Sequence, residues 1–274
     1  MKNPPERING RKHNQLRNVE VQFNLFGYAD ASVLYQVGNT KVLCAVNLQQ
    51  GVPYFLKSKN ALLGNTGKKS GWLNAEYSML PSSTTVRTVR EISSMRRNGR
   101  SVEISRLISR SLRTIVDLSL LGERTITIDC DVLQADGGTR TACITGASLA
   151  LRLAVNKWIN EKIINENILI DQIAAVSVGV IDGEALLDIE FSEDKRADAD
   201  FNFVLTRSNK IVEVQGASEG VAVSWQQFDE VKALAVNGIE QLFAIGDQYL
   251  EKMFEGDLKK VPLFSLQNRT DLSV

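Results

Sequence analysis

Apolar residues recur along the chain with two periods, and the places where the period changes mark the predicted elements. "ASVLYQVGNTKVLCAVNL" (31–48) holds two β-rich runs around a Gly-Asn turn, the pattern of a hairpin. "KSKNALLGNTGKKSG" (57–71) follows with four lysines, three glycines and no acid, and reads as an exposed flexible loop. "WLNAEYSML" is a strand that Pro81 halts. Over 101–116 the period lengthens: Ile104, Leu107, Ile108, Leu112 and Ile115 fall at helical spacing, with Arg106, Arg110 and Arg113 on a different stripe. "RTITIDCDVLQA" alternates like a strand, and "GASLALRLAVNKWI" is an apolar helix.

The second half repeats this order. "AAVSVGVIDGEALLDIEF" is a hairpin with Asp-Gly at the turn, where positive φ is needed. "FNFVLTRSNKIVEVQG" is a second hairpin, and "SWQQFDEVKALAVNGIEQLFAIGDQYLEKMF" a long helical region with Ser224 as its N-cap. Strands followed by helices, twice over, predict an α/β (α+β) chain of two similar halves, about 1–160 and 161–254. No proline-rich linker separates them, so 1–254 reads as one body and 255–274 as a polar tail.

Composition narrows the function more than the fold. At 274 residues, 43% hydrophobic and 23% charged, the chain has the material for a full core and the make-up of an ordinary soluble protein. No apolar run approaches a membrane span, and the polar N-terminus has no signal-peptide core, so a cytoplasmic protein without a membrane partner is expected. Cys44, Cys130 and Cys143 lie in apolar segments without ligand-like spacing and read as buried free thiols. His13 is the only histidine, which leaves almost no material for zinc chemistry or a Ser-His-Asp triad. Proton transfer and metal binding therefore fall to carboxylates.

The 32 basic and 32 acidic residues cancel, but they are not mixed. Residues 87–113 carry eight arginines and no lysine against Glu91 and Glu103, whereas 182–200 carry eight acids against Lys195 and Arg196. A charge run is usually a solvated face, but arginine without lysine suits phosphate better than solubility.

Three short segments could carry chemistry. In "ADGGTRTA", Gly137 and Gly138 permit close backbone approach, and a helix starting near Thr139 would turn unpaired N–H groups toward an anion. Thr139 adds a hydroxyl and Arg140 a bidentate donor; a plain turn with Arg140 in a surface salt bridge fits the same residues. The Walker A spacing is absent. In "NGRSVEISR", the Asn98-Gly99 turn sets Arg100 just before a predicted helix, where it is either an anion ligand or an exposed flanking arginine. In "FSEDKRADADFN", Asp194 and Asp200 lie six apart across a turn. They are either part of an acidic solvated loop or a pair suited to Mg²⁺, which binds through one or two carboxylates plus substrate phosphate. Taken together the three fit phosphoryl chemistry better than acyl or hydride transfer.

The chain also resembles the bacterial RNase PH family of phosphate-dependent exoribonucleases that trim tRNA 3′ ends. The likeness runs through "GRKHNQLR", "GNTKVLCAV", "GVPYFLK", "AEYSMLP", "GRSVEISRLISRSLR", "LGERTITIDCDVLQADGGTRTACITGA", "AAVSVGVIDGEALLDIEFSED" and "IVEVQGASEG". It implies a duplicated β-α-β-α domain of the ribosomal protein S5 domain 2-like type and a homohexamer built as a trimer of dimers. It also implies that Gly138, Thr139, Arg140 and Arg100 bind inorganic phosphate as co-substrate. Asp194 and Asp200 would bind a divalent metal, Mg²⁺, and support acid catalysis, while Arg87 and Arg90 would guide RNA, the 3′ end of a tRNA precursor and not DNA. The alternative within the resemblance is a non-catalytic or partner-dependent ring subunit of an exosome-like complex. Two departures stand out: Ser82 replaces the arginine usual after "LP", which would alter tRNA affinity, and the 57–71 loop is longer than usual. That loop either restores positive charge or is a neutral surface insertion.

Overall fold

The computed structural model describes Arg7 and residues 9–62, 69–94 and 98–256. Along the chain the first half gives β1 (Val19–Phe23), β2 (Ala31–Val37), β3 (Thr40–Gln50), α1 (Tyr54–Leu62), β4 (Trp72–Met79), α2 (Gly99–Arg113), α3 (Leu118–Leu121), β5 (Arg124–Gln134) and α4 (Thr139–Asn160). A 3₁₀ turn, Glu91–Ser94, precedes α2. The strands form one sheet in the order β1-β2-β3-β5-β4. All its pairs are antiparallel except β4 with β5, and that parallel pair requires the long crossover that α2 supplies.

The second half gives β6 (Ile173–Ile181), β7 (Glu184–Leu187), the single turn α5 (Phe191–Asp194), β8 (Ala199–Thr206), β9 (Ile211–Ser218) and α6 (Trp225–Gly256). Its sheet runs β7-β6-β8-β9. The Asp182-Gly183 turn has φ of 52° and 87°, as a two-residue hairpin needs. Ser224 caps α6, its hydroxyl accepting from Gln227 N while the Gln227 side chain accepts from Ser224 N. The halves are thus alike in plan, sheet then helix, but the second has only one helical turn between its hairpins.

Helix α4 is the middle layer. It packs on β2 and β3 on one side and on β6 on the other, and α6 covers β6 and β7. That position explains why α4 is apolar nearly all round, with Ile144, Leu151 and Trp158 fully buried. A single apolar cluster runs through both halves. The three cysteines are free and buried within it, Cys44 directly opposite Cys130 across β3 and β5.

Helix α2 buries Ile104, Leu107, Ile108 and Leu112 as its spacing predicts, and it also buries Ser101, Ser105 and Ser109. Two of these serines, Ser105 and Ser109, have a purpose that the apolar pattern does not reveal. Strand β4 is a sheet edge, and its outward N–H groups need partners. Ser109 Oγ accepts from Ala75 N at 2.7 Å and Ser105 Oγ from Tyr77 N at 2.8 Å, while Arg113 donates to Leu73 O at 3.2 Å. The helix closes the edge in place of another strand.

One expectation changes. Part of the 57–71 loop is helical, because α1 continues to Leu62 and the glycines begin only at Gly64. Phe55 anchors this helix edge-on to Trp72, ring centroids 5.1 Å apart. Residues 63–68, and the tail from 257 onward, lie outside the described residues.

Candidate active site

The site begins where β5 leaves its sheet. Gly137 and Gly138 take φ of 74° and 66°, in the left-handed region, and α4 starts at Thr139. A Cβ on Gly137 would lie 2.7 Å from Ile189 O and 2.9 Å from Phe191 N, so this turn presses directly on the backbone leading into α5. Gly138 is the N-cap and offers no side-chain hydrogen bond, and the first turn of α4 holds no acid. The helix therefore presents its first N–H groups and the positive end of its dipole uncompensated by a cap.

Around this end stand the residues singled out from sequence. The buried Thr139 hydroxyl lies 3.0 Å from the Tyr77 hydroxyl. Arg140 Nη1 donates to Gln215 Oε1 at 2.8 Å and reaches Glu103 Oε1 at 3.5 Å. The surface ion pair anticipated as an alternative thus exists, but it is the longer of the two contacts, and its glutamate is exposed. Arg100 sits in the first turn of α2 with its backbone N–H on Asn98 Oδ1 at 3.0 Å. Asn98 is the helix cap here, and Arg100 is exposed.

Asp194 closes α5 and Asp200 lies at the start of β8, opposite Gly179. Partial desolvation, then the charge of Asp200, pushes the Asp194 carboxyl above its usual 3.8; Arg100 and Arg140 pull it down and Glu219 adds to the rise. Five groups from both halves therefore share one electrostatic neighbourhood at the end of α4. Among the described residues no set of three or more His, Cys, Asp or Glu is placed to hold a metal. A divalent cation would rest on the two aspartates, its own waters and substrate oxygens, which fits the coordination habits of Mg²⁺. It would also relieve the repulsion that raises Asp194.

Arg87 and Arg90 are exposed on the segment after Pro81, as is Ser82. That segment is tied to the turn by Ala135 N donating to Ser83 O at 2.8 Å. Among the described residues, no hydrogen bond or ion pair joins either arginine to Arg100, Arg140, Asp194 or Asp200.

A network that the sequence did not signal fixes the parts in place. Arg17 donates through Nε and Nη2 to the two oxygens of Asp188, at 3.0 and 2.7 Å, and through Nη1 to Asp136 O at 2.5 Å. Arg7 grips Glu193 at 2.7 Å through both Nε and Nη2 and donates to Leu187 O at 2.9 Å. Glu193 is the neighbour of Asp194, and its side chain closes a capping box with Glu190 on α5. Thr40 adds a third tie, donating to Gly137 O at 2.7 Å and accepting from Asp136 N at 3.0 Å. No local spacing marks Arg17 and Asp188 as partners. Tyr77 did leave a trace, since the alternation of "WLNAEYSM" turns it toward the core.

The comparisons with known proteins agree on one family. A family model described as "3′ exoribonuclease family, domain 1" matches residues 15–155, and its domain 2 matches 171–238. Ribonuclease PH of Syntrophomonas wolfei is 47% identical over 240 residues, 88% of this chain and 97% of that protein. Ribonuclease PH of Moorella thermoacetica is 49% identical over 244 residues, 89% and 94% of the two chains. Among solved structures, rice Rrp46 superposes with a TM-score of 0.68 at 18% identity, covering 89% of this chain and all (100%) of that one. A chain of an archaeal exosome core gives 0.67 at 21% identity, covering 88% and 91%; both likenesses are of fold.

Proposed function

We infer that this chain, which belongs to the 3′ exoribonuclease family, is a phosphate-dependent 3′→5′ exoribonuclease, a nucleotidyltransferase-type enzyme acting on RNA. The observation that carries the phosphorolytic reading is the uncapped start of α4, with Thr139 and Arg140 on it and Arg100 acting on the same neighbourhood. Water needs no such cradle; an anionic nucleophile does.

In this reading the Gly138 turn, Thr139, Arg140 and Arg100 bind inorganic phosphate and hold it in line with the last phosphodiester. Their positive field offsets the repulsion between two anions, the main electrostatic obstacle to attack. Asp194 and Asp200 hold the divalent cation, which when bound supplies charge neutralisation at the phosphoryl oxygens. We assign to Asp194, whose carboxyl desolvation and then the charge of Asp200 push up, the proton that goes to the leaving 3′ oxygen. A phosphate oxygen bonds to phosphorus as the bond to the 3′ oxygen breaks. The products are a nucleoside diphosphate and an RNA one nucleotide shorter. Bonds of similar energy are exchanged, so nucleoside diphosphates also extend RNA in reverse.

The preferred RNA is the 3′ end of a tRNA precursor, with Arg87 and Arg90 guiding it, and the working form is a homohexamer in the cytoplasm. One body, 1–254, of halves about 1–160 and 161–254 carries the activity. Among the described residues, no helix is long and apolar enough to cross a membrane. The non-catalytic alternative is disfavoured, since both the arginines and the aspartates are present. The test is to incubate purified chain with end-labelled tRNA precursor with and without phosphate. Shortening that needs phosphate and releases nucleoside diphosphates is expected; equal shortening without phosphate, releasing monophosphates, makes the enzyme a hydrolase. Arg140→Ala should cost about a hundredfold or more in phosphorolysis. The mass of the purified chain in solution tests the hexamer.

A further inference from the structure

Tyr77 lies in the core of the first half, 4% exposed, and its hydroxyl ends beside Thr139 rather than in an apolar contact. Thr139 Oγ1, 3.0 Å away, is its hydrogen-bond partner among the described residues. Either oxygen has the geometry to donate, so chemistry must choose between them. A phenol is a stronger acid than an aliphatic alcohol, and a buried hydroxyl without an acceptor costs stability, so the Tyr77 proton goes to Thr139. That leaves the Thr139 proton without a protein acceptor among the described residues, at the uncapped end of α4. Burial pushes the Tyr77 hydroxyl up to about 12, while Arg100 and Arg140 pull the other way. It therefore stays protonated, a permanent donor, near both guanidiniums.

The backbone of Tyr77 adds a second constraint. Its N–H is held by Ser105 Oγ of α2 at 2.8 Å, five residues along the helix from Arg100. One residue thus connects the helix that carries Arg100 to the helix that carries Thr139 and Arg140.

We propose that Tyr77 is a positioning residue for the phosphate-binding turn, donating to Thr139 Oγ1 so that the Thr139 proton is turned toward the incoming anion. This rests on the reading of Thr139 as a phosphate ligand. Tyr77 touches neither phosphate nor RNA and acts only through Thr139.

The test uses the full chain and steady-state phosphorolysis, with KM for phosphate and for RNA measured separately. Removal of one hydroxyl in Tyr77→Phe, which keeps the ring and the core, should raise KM for phosphate about three- to tenfold. KM for RNA and kcat should stay within about twofold. KM for a nucleoside diphosphate in the reverse reaction should rise in step, since its terminal phosphate takes the same place. Thr139→Val should raise KM for phosphate as well, and the double variant should be no worse than Thr139→Val alone. As a check that needs no turnover, inorganic phosphate should raise the melting temperature of Tyr77→Phe less than that of the parent chain. An unchanged phosphate KM in Tyr77→Phe beside a raised one in Thr139→Val overturns the proposal and leaves the Thr139 reading standing. An unchanged KM in Thr139→Val overturns both. Equal rises in the phosphate and RNA constants of Tyr77→Phe would mean general disorder of the site, and would also overturn it.

Discussion

Arg17 and Asp188, 171 residues apart, form a two-pronged ion pair in the interior, each side chain about 5% exposed or less. The third arm of the same guanidinium holds Asp136 O, the carbonyl just ahead of the glycine turn. A residue from the N-terminal segment therefore joins the end of the first sheet to the loop after β7. Asp188 accepts this role in a left-handed backbone conformation, φ 52°, which for a residue other than glycine is a local strain. The pair ties the glycine turn, made by the first half, to the segment of the second half that leads into α5.

Removing one partner leaves the other charge buried without compensation. Asp188→Ala is expected to cost about 3–5 kcal/mol of stability, measured by urea denaturation. In the surviving folded enzyme the turn loses an anchor, so KM for phosphate should rise more than KM for RNA. A loss under about 1 kcal/mol would show that the pair does not bear on stability.

The same network sets a pH response. Burial works to raise the Asp188 carboxyl, but Arg17 overcomes it and holds the group below its usual 3.8. Burial likewise opposes Arg7 at Glu193, which is nonetheless held below 4.5. A carboxylate depressed in the folded state contributes stability that is complete above its unfolded value and is lost as pH falls through the folded one. These two groups should therefore add nothing to any change above about pH 5, and should drive a loss of stability below about pH 4.5. Denaturation midpoints measured from neutral pH downward test this. Asp188→Asn should flatten the acid limb while lowering the plateau.

Much of this arrangement was legible in the chain, for reasons tied to range. Alternation marked β5, helical spacing marked α2, and the Asp182-Gly183 pair marked the hairpin of β6 and β7, because each is decided by neighbours in sequence. Gly138, Thr139 and Arg140 could be singled out because a helix start is local too. Arg17 with Asp188, Arg7 with Glu193 and Tyr77 with Thr139 could not, since their partners are chosen by the packing of α4 between two sheets. Helix α1 was hidden by composition: its lysines looked like loop, whereas Leu56 is buried and Phe55 is held against Trp72.

Asp194 should show a trade between stability and activity. Desolvation and then Asp200 raise its carboxyl, so at neutral pH its charge is unfavourable in the folded state. Asp194→Asn should therefore melt higher than the parent in metal-free buffer, yet lose about a hundredfold or more in phosphorolysis. Added Mg²⁺ should stabilise the parent and do so much less for Asp194→Asn. A variant that melts lower in metal-free buffer would mean that desolvation and Asp200 do not make the Asp194 charge unfavourable.

The two glycines of the turn make separable predictions, since they face different neighbours. At Gly137 an added Cβ meets backbone, Ile189 O at 2.7 Å and Glu190 C at 2.8 Å, and backbone cannot swing aside. At Gly138 the nearest atoms are the ends of side chains, Arg17 Nη2 at 3.1 Å and Thr141 Oγ1 at 3.2 Å, which need give by only a few tenths of an ångström. Both sites add the cost of left-handed backbone to an L residue, about 1 kcal/mol. Gly137→Ala should therefore lose about 2 kcal/mol more stability than Gly138→Ala, a clash cost typical of overpacking. It should also lose activity by a different route. Relief of the clash pushes the turn away from α5, which separates Thr139 and Arg140 from Asp194, so kcat should fall with the rise in phosphate KM. Gly138→Ala leaves that spacing in place and should act mainly on phosphate KM. Urea denaturation and steady-state kinetics on the two variants decide it; equal stabilities would mean that the 189–191 backbone moves freely and does not hold the turn in register.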